Sequence, residues 1–358
     1  MSKNTLLMTR EALARLRPEH LAASAAEAVR EILAEAASVN TTRSYASALR
    51  YWAAWFQGRY GQPITLPVPE AAVVQFIVDH AARRFRTGLK WELPAQLDAL
   101  LVVTRIKQKP GPLKLSTIVH RVAVLSEAHQ LKKLPNPCES IAVRHLLARA
   151  RRAAVKRGER PHKKTAITKP ELEAMIATCD GSLEGLRDRA LLYFGFASGG
   201  RRRSEVAAAD LRDLHPQEDG GYVYRLEHSK TQQAGVTTGS HPDKPVLGTV
   251  ADALRAWLTA AKLTEGALFR RLWKTRVGSA LSPAAVAAII QRRAGLAGLK
   301  GDFGGHSLRS GFVTEGARQG VALPALMAMT EHRSAASVLG YFQAGNAADN
   351  PAAHLLDK

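Results

Sequence analysis

The sequence predicts a mainly α protein whose second half is α+β: a helical bundle followed by helices packed around a small antiparallel β-sheet. Three observations lead there. Apolar residues recur at helical spacing, broken by proline or glycine, from about residue 20 to 150, with no strand alternation among them. In the second half Tyr222-Val223-Tyr224-Arg225-Leu226 alternates as a strand does. At 358 residues the chain exceeds what one core usually serves, so two domains are the default, and 46% hydrophobic content can fill both.

Taken in order, Tyr45, Leu49, Trp52 and Phe56 share one face of a helix opened by Thr41 or Thr42, whose hydroxyls suit an N-cap. Further helices are expected at 69–84, 94–106 and 116–131, making a bundle of four or five. Residues 144–164 hold nine Lys/Arg and one acid, Glu159, and Pro161 breaks any helix there. Thr168-Lys169-Pro170-Glu171 is a capping box that starts the second domain. Leu183, Leu186, Ala190, Leu191 and Phe194 mark its next helix, which Ser198-Gly199-Gly200 ends. A helix begins at Glu205; the strand 222–226 then pairs with 244–247 across a long loop containing Gly235, Gly239 and Pro242. The remainder reads as helix at 251–261, 283–293, 306–319 and 324–329. The expected division is a domain over 1–150, a basic linker over 151–167, a second domain over 168–345 and a tail over 346–358.

Charge narrows the partners. The chain carries 51 Lys+Arg against 31 Asp+Glu, a net +20, so a polyanion is the natural partner and nucleic acid the foremost one. No apolar run reaches the eighteen or so residues a membrane span needs, and the first residues lack a signal peptide, so a cytoplasmic protein without a membrane partner is expected. Cys138 and Cys179 alone support neither a disulfide framework nor a zinc site. The basic run 144–164 (Arg144, Arg149, Arg151, Arg152, Lys156, Arg157, Arg160, Lys163 and Lys164) is dense enough to lie along a phosphate backbone, although most charge runs are simply solvated.

Several residues carry phosphoryl chemistry. Arg202 stands three residues before Glu205 at a helix start, so its guanidinium can fork onto a phosphate while the carboxylate orients it. Arg201 and Arg203 flank it as further DNA contacts. Lys230 ends the strand that leads into the long loop, and His306 and Arg309 share a helical face at i, i+3. His332 precedes Tyr341 by nine residues. Each is ordinary alone: surface arginines often sit beside a glutamate, strand-end lysines are usually solvated, and a late tyrosine is more often a packing residue.

In this order and spacing the set resembles the tyrosine recombinase, or phage integrase, family. Its arginine box corresponds to Ser198-Gly-Gly-Arg-Arg-Arg-Ser-Glu205, its hairpin lysine to Lys230, its HxxR box to His306-Ser-Leu-Arg309, and its last box to His332 through Tyr341. The resemblance covers roughly 165–345 and implies a recombinase-like catalytic domain behind a helical core-binding domain. Two departures stand out. The usual box, small-Gly-x-Arg-x-x-Glu, leaves one residue too many between Gly199 and Glu205; counting back from the glutamate selects Arg202, counting forward selects Arg201. Glu331 occupies the place before His332 where glycine is common, and a carboxylate there repels phosphate unless it turns away.

The resemblance implies that Tyr341 attacks the scissile phosphate of duplex DNA and displaces a 5′-hydroxyl, leaving a 3′-phosphotyrosyl bond, so that no cofactor, metal or ATP is required. Arg202 and Arg309 would hold the non-bridging oxygens, His306 and His332 would add hydrogen bonds or shuttle protons, and Lys230 would protonate the leaving oxygen. It also implies a tetramer on its recombination sites, DNA-bending accessory proteins, and a tail at 346–358 that docks on a neighbouring protomer. The alternatives are a type IB topoisomerase-like enzyme that nicks and religates one duplex, and an inactive DNA-binding accessory protein.

Overall fold

The computed structural model describes residues 39–159, 163–226, 241–274, 276–332 and 334–341. The chain divides into two compact units, the first ending at Pro161 and the second beginning at His162. No helix among the described residues is long and apolar enough to cross a membrane.

The first unit packs α1 (Val39–Tyr60), α2 (Glu70–His80), α3 (Ala95–Val103), α4 (Leu115–Leu131) and α5 (Ile141–Lys156) around an aromatic core. The apolar face of α1 delivers Tyr51, Trp52, Trp55 and Phe56 inward, and Trp52 stacks on Phe76 with ring centroids 3.8 Å apart. Two polar side chains that go in with them, Asp79 and His80, are hydrogen-bonded there. Trp55 Nε1 donates to the buried Asp79 carboxylate at 2.9 Å. His80 bonds the Phe76 carbonyl through Nδ1 at 2.7 Å, leaving Nε2 to accept from the Tyr51 hydroxyl at 2.8 Å; burial pushes this imidazole down to about 3. A hairpin of β1 (Arg83–Phe85) and β2 (Gly88–Lys90) interrupts the helices where none was expected. Its strands are three residues long and mostly exposed, so no inward-outward alternation announces them. The basic run is largely helical rather than linker: α5 carries Arg144, Arg149, Arg151, Arg152 and Lys156, all exposed, while its Val143 and Ala154 are buried.

The second unit contains α6 (Lys169–Ala177), α7 (Leu183–Ala197), α8 (Arg203–Ala208), α9 (Thr249–Ala261), α10 (Pro283–Leu296), α11 (Ser307–Arg318), α12 (Leu323–Thr330) and α13 (Ala335–Leu339), and α6 to α11 contribute to one core. Fully buried Phe194, Trp257 and Phe269 anchor it. The capping box at Thr168 forms, with Glu171 accepting from the Thr168 N–H at 2.9 Å. A three-stranded antiparallel sheet runs in the order β3 (Leu214–Pro216), β4 (Tyr222–Arg225), β5 (Asp243–Val246), with Tyr224 opposite Lys244. A second hairpin, β6 (Arg270–Trp273) and β7 (Arg276–Ala280), had no counterpart in the sequence reading. Residues 166 and 167, assigned there to the linker, are buried in this unit; Ile167 donates to the Ser307 carbonyl at 3.0 Å, and a Cβ on Gly311 would lie 1.7 Å from the Ile167 carbonyl oxygen. That close approach seats α11, and with it Arg309, against the start of the unit.

Candidate active site

The site grows from the end of α7. Gly199 and Gly200 both adopt positive φ, 102° and 65°, which only glycine reaches cheaply. They also permit two close approaches: a Cβ on Gly199 would meet the Met329 carbonyl oxygen at 2.0 Å, and one on Gly200 would meet Arg309 Cα at 2.6 Å. The arginine run is thereby pressed against α11 and the end of α12. Counted from Gly200, the box reads Gly-Arg201-Arg202-Arg203-Ser-Glu205 with no residue to spare, so the apparent insertion arose from choosing the wrong glycine.

The three adjacent arginines have different fates. Arg202 stands at the N-cap of α8, where its N–H donates to Glu205 Oε2 at 3.0 Å and its guanidinium donates to Oε1 at 2.6 Å. Its charge is the largest electrostatic influence that neighbouring side chains exert on Arg309. Arg203 is exposed, with its stem lying along Gly305. Arg201, expected among the surface DNA contacts, is 1% exposed and donates to the Met329 carbonyl at 2.5 Å. It cannot reach a duplex from there.

Arg309 is fully buried. It donates to the carbonyls of Thr330 and Gly200, and its Nε points at His332 Nε2 at 3.4 Å. On the other side of the imidazole, Nδ1 lies 2.7 Å from the Thr330 hydroxyl, which itself donates to Leu326 O at 2.6 Å. The hydroxyl therefore accepts, Nδ1 carries the proton, and Nε2 is left as an acceptor. Burial, then the charges of Arg309, Arg202 and Arg201, push His332 down to about 4. Burial, then Arg202 and Arg201, likewise disfavours the charge on Arg309. An anion bound here would offset the mutual repulsion of these cations, so the arrangement is suited to cradle a phosphate group.

Tyr341 closes the cradle. Its ring centroid lies 5.2 Å from that of His332 and 5.7 Å from the Arg309 guanidinium carbon. The adjacent Gly340 carbonyl accepts from Lys163 Nζ at 2.9 Å. His306 is exposed at the N-cap of α11, one turn before Arg309. The structure thus brings Arg202, Glu205, Arg309, His332 and Tyr341 together. Lys230 and Arg160 lie outside the described residues. Lys164 pairs with Asp302, and Arg157 with Glu159 at 2.8 Å.

Lys244 is the residue that sequence reasoning missed. It is fully buried and pairs with Glu331 Oε1 at 2.5 Å, so the carboxylate next to His332 does turn away from the cradle. The alternation of β5 puts Lys244 on the same inward face as Val246, which was a readable hint of a buried lysine; its partner 87 residues away was not readable.

The chain is similar to known proteins over most of its length. Residues 165–347 match the model of the phage integrase family. An integrase/recombinase XerD homolog of Selenomonas ruminantium is 33% identical over 268 residues, covering 71% of this chain and 75% of the relative. The recombinase Cre of Escherichia phage P1 is 27% identical over 232 residues, covering 60% and 66%. Among solved structures, the Tn1549 transposon integrase in complex with transposon right end DNA has a TM-score of 0.55 at 14% identity, covering 89% of this chain and 93% of that one. A lambda integrase dimer bound to a COC′ core site gives 0.53 at 16%, covering 90% and 95%; both share the fold. With a family model over half its length and a relative a third identical across most of it, the chain belongs to the phage integrase family, the tyrosine recombinases.

Proposed function

We propose that this chain is a site-specific DNA recombinase that uses Tyr341 as its nucleophile. The observation that carries the reading is the tyrosine ring seated against His332 and Arg309 at the mouth of a buried cationic cradle. The Tyr341 oxygen attacks the scissile phosphorus, the bond from phosphorus to the 5′-oxygen breaks, and a 3′-phosphotyrosyl ester retains the bond energy for rejoining. The phenolic proton passes to a base, for which His306 is the exposed candidate. A proton reaches the leaving 5′-oxygen from a general acid, the role assigned to Lys230. A 5′-hydroxyl from the second duplex then attacks the ester and releases Tyr341.

Arg202 and Arg309 supply fixed donors to the non-bridging oxygens as charge grows on them, and His332 donates from the same side once its Nε2 has taken up a proton. Glu205 holds Arg202 through both its backbone and its guanidinium, so the donor is in place before DNA arrives. The exposed basic side chains of α5 in the first unit, and separately Arg203 and Lys163 in the second, bind the phosphate backbone. Exchange between two duplexes needs four cleavages, hence four protomers on DNA, and the work is done in the cytoplasm, where DNA-bending accessory proteins assist.

The test is polarity and outcome together. A duplex selected by the chain from a random-sequence library, placed twice in one plasmid, should yield recombinant products and protein attached to DNA 3′ ends. Relaxation of the plasmid without exchange would replace this reading with topoisomerase-like nicking and religation; tight binding without any adduct would replace it with an inactive accessory role.

A further inference from the structure

The last four carbonyls of an α-helix have no partner within the helix. In α12 all four are taken. Met327 O accepts from the backbone N–H groups of Glu331 and His332, while the next three carbonyls each receive a buried cation: Ala328 from Lys244 at 2.8 Å, Met329 from Arg201 at 2.5 Å, and Thr330 from Arg309. These three side chains come from a strand, from the loop before α8 and from α11, so the turn is gripped from three directions. The negative end of a helix dipole favours cations, but placing three of them out of water there costs desolvation that surface residues would not incur.

Directly after this turn stands Glu331, in the left-handed conformation with φ 57°. Glycine takes that conformation freely; a glutamate does not. Its carboxylate is held on Lys244, and its charge also bears on the buried Arg201. The next residue is His332, whose ring meets both Arg309 and Tyr341.

We propose that Arg201, Lys244 and Glu331 are positioning residues for the cleavage reaction, a buried charge lock that fixes the turn carrying His332 and keeps the Glu331 carboxylate away from the bound phosphate. The proposal rests on the recombinase reading. Arg309 is shared between the lock and the cradle, since one guanidinium bonds both the Thr330 carbonyl and the imidazole. Lys244 lies in β5, so the lock also ties His332 to the sheet. Removing Lys244 alone leaves a buried carboxylate without its countercharge beside a phosphate site. Removing Glu331 as well abolishes that liability, and a glycine at 331 accepts the left-handed turn.

The experiment measures single-turnover adduct formation on a nicked suicide duplex of the selected sequence, at saturating protein, beside half-site affinity and thermal midpoint. Lys244→Met should slow adduct formation roughly 10- to 100-fold, the scale for loss of positioning, with half-site affinity changed less than about threefold. Adding Glu331→Gly to Lys244→Met should recover most of that rate. Arg201→Lys, which keeps the charge and shortens the reach to Met329, should also slow adduct formation with affinity retained, and it decides the matter if Lys244→Met does not fold. An unchanged adduct rate in the folded single variants, or rate, affinity and midpoint falling together without recovery in the double variant, would overturn the lock. A parent chain that forms no adduct would overturn the recombinase reading and the lock with it.

Discussion

Arg309 and His332 form a pair in which the guanidinium Nε faces an imidazole nitrogen that has no proton, 3.4 Å away. The Thr330 hydroxyl fixes this tautomer by accepting from the opposite nitrogen at 2.7 Å. In a site this cationic a second charge on the histidine would be costly, and the neutral ring can instead accept a proton when a phosphate arrives. The pairing therefore links the charge state of His332 to occupancy of the cradle.

That link has a measurable pH dependence in the absence of DNA. The folded value of His332 is depressed to about 4 from an ordinary 6.5, so the unfolded chain binds the proton first as pH falls. The stability associated with the neutral ring is present above pH 6.5 and is lost progressively as pH drops toward 4, at no more than ~1.4 kcal/mol per pH unit for one proton. His332→Gln should flatten the fall in thermal midpoint of the catalytic unit between pH 6.5 and 5, and bound duplex should flatten it in the parent. Parallel slopes for parent and variant would count against the assignment.

Arg202 and Arg201 separate by where their donors point. Arg202→Ala removes a preorganised donor to the phosphate and should lower cleavage by on the order of a hundredfold or more. Restoring only the charge with Arg202→Lys should recover little, because a single ammonium cannot reproduce the fork held by Glu205. Adduct kinetics with half-site binding as control read this out; a fast Arg202→Ala variant would move the role elsewhere.

Gly200→Ala tests the approach of the arginine box to α11. The added methyl would fall 2.6 Å from Arg309 Cα at a φ of 65°, so the loop or Arg309 must shift. Cleavage should drop by roughly 100-fold for a displacement near 1 Å. Folding should be lowered by about 1–3 kcal/mol, visible in denaturant melts. Parental cleavage would show that the loop yields without moving the site.

Lys230 is accessible through the leaving group. A substrate whose bridging 5′-oxygen is sulfur leaves without protonation, so it should restore cleavage by Lys230→Ala and not by Arg309→Ala. Equal failure of both variants on the sulfur substrate would remove Lys230 as general acid.

Much of this site was legible in the sequence because its parts are short and local. Arg202 with Glu205 and His306 with Arg309 each lie within one turn, joined by helical geometry alone, and His332 stands nine residues before Tyr341. The face of α1 was legible only in part: Trp52 and Phe56 are buried, whereas Tyr45 and Leu49, read onto the same face, are exposed. What escaped were relations made by tertiary packing. Three consecutive arginines look alike until Gly199 and Gly200 press the loop onto Met329 and drive Arg201 inside. The Lys244–Glu331 pair spans 87 residues, and only the structure shows that the carboxylate next to His332 is neutralised. The hairpin at 83–90 went unseen because its exposed, three-residue strands bury no alternating face.

The central claim is that Tyr341 carries the DNA. Trapping the adduct on the suicide duplex, digesting it with protease and sequencing the nucleotide-bearing peptide by mass spectrometry tests this most directly. A single modified peptide containing Tyr341 is expected, absent from Tyr341→Phe although that variant still binds the half-site. Nucleotide on any other residue, or an undiminished adduct in Tyr341→Phe, would contradict it.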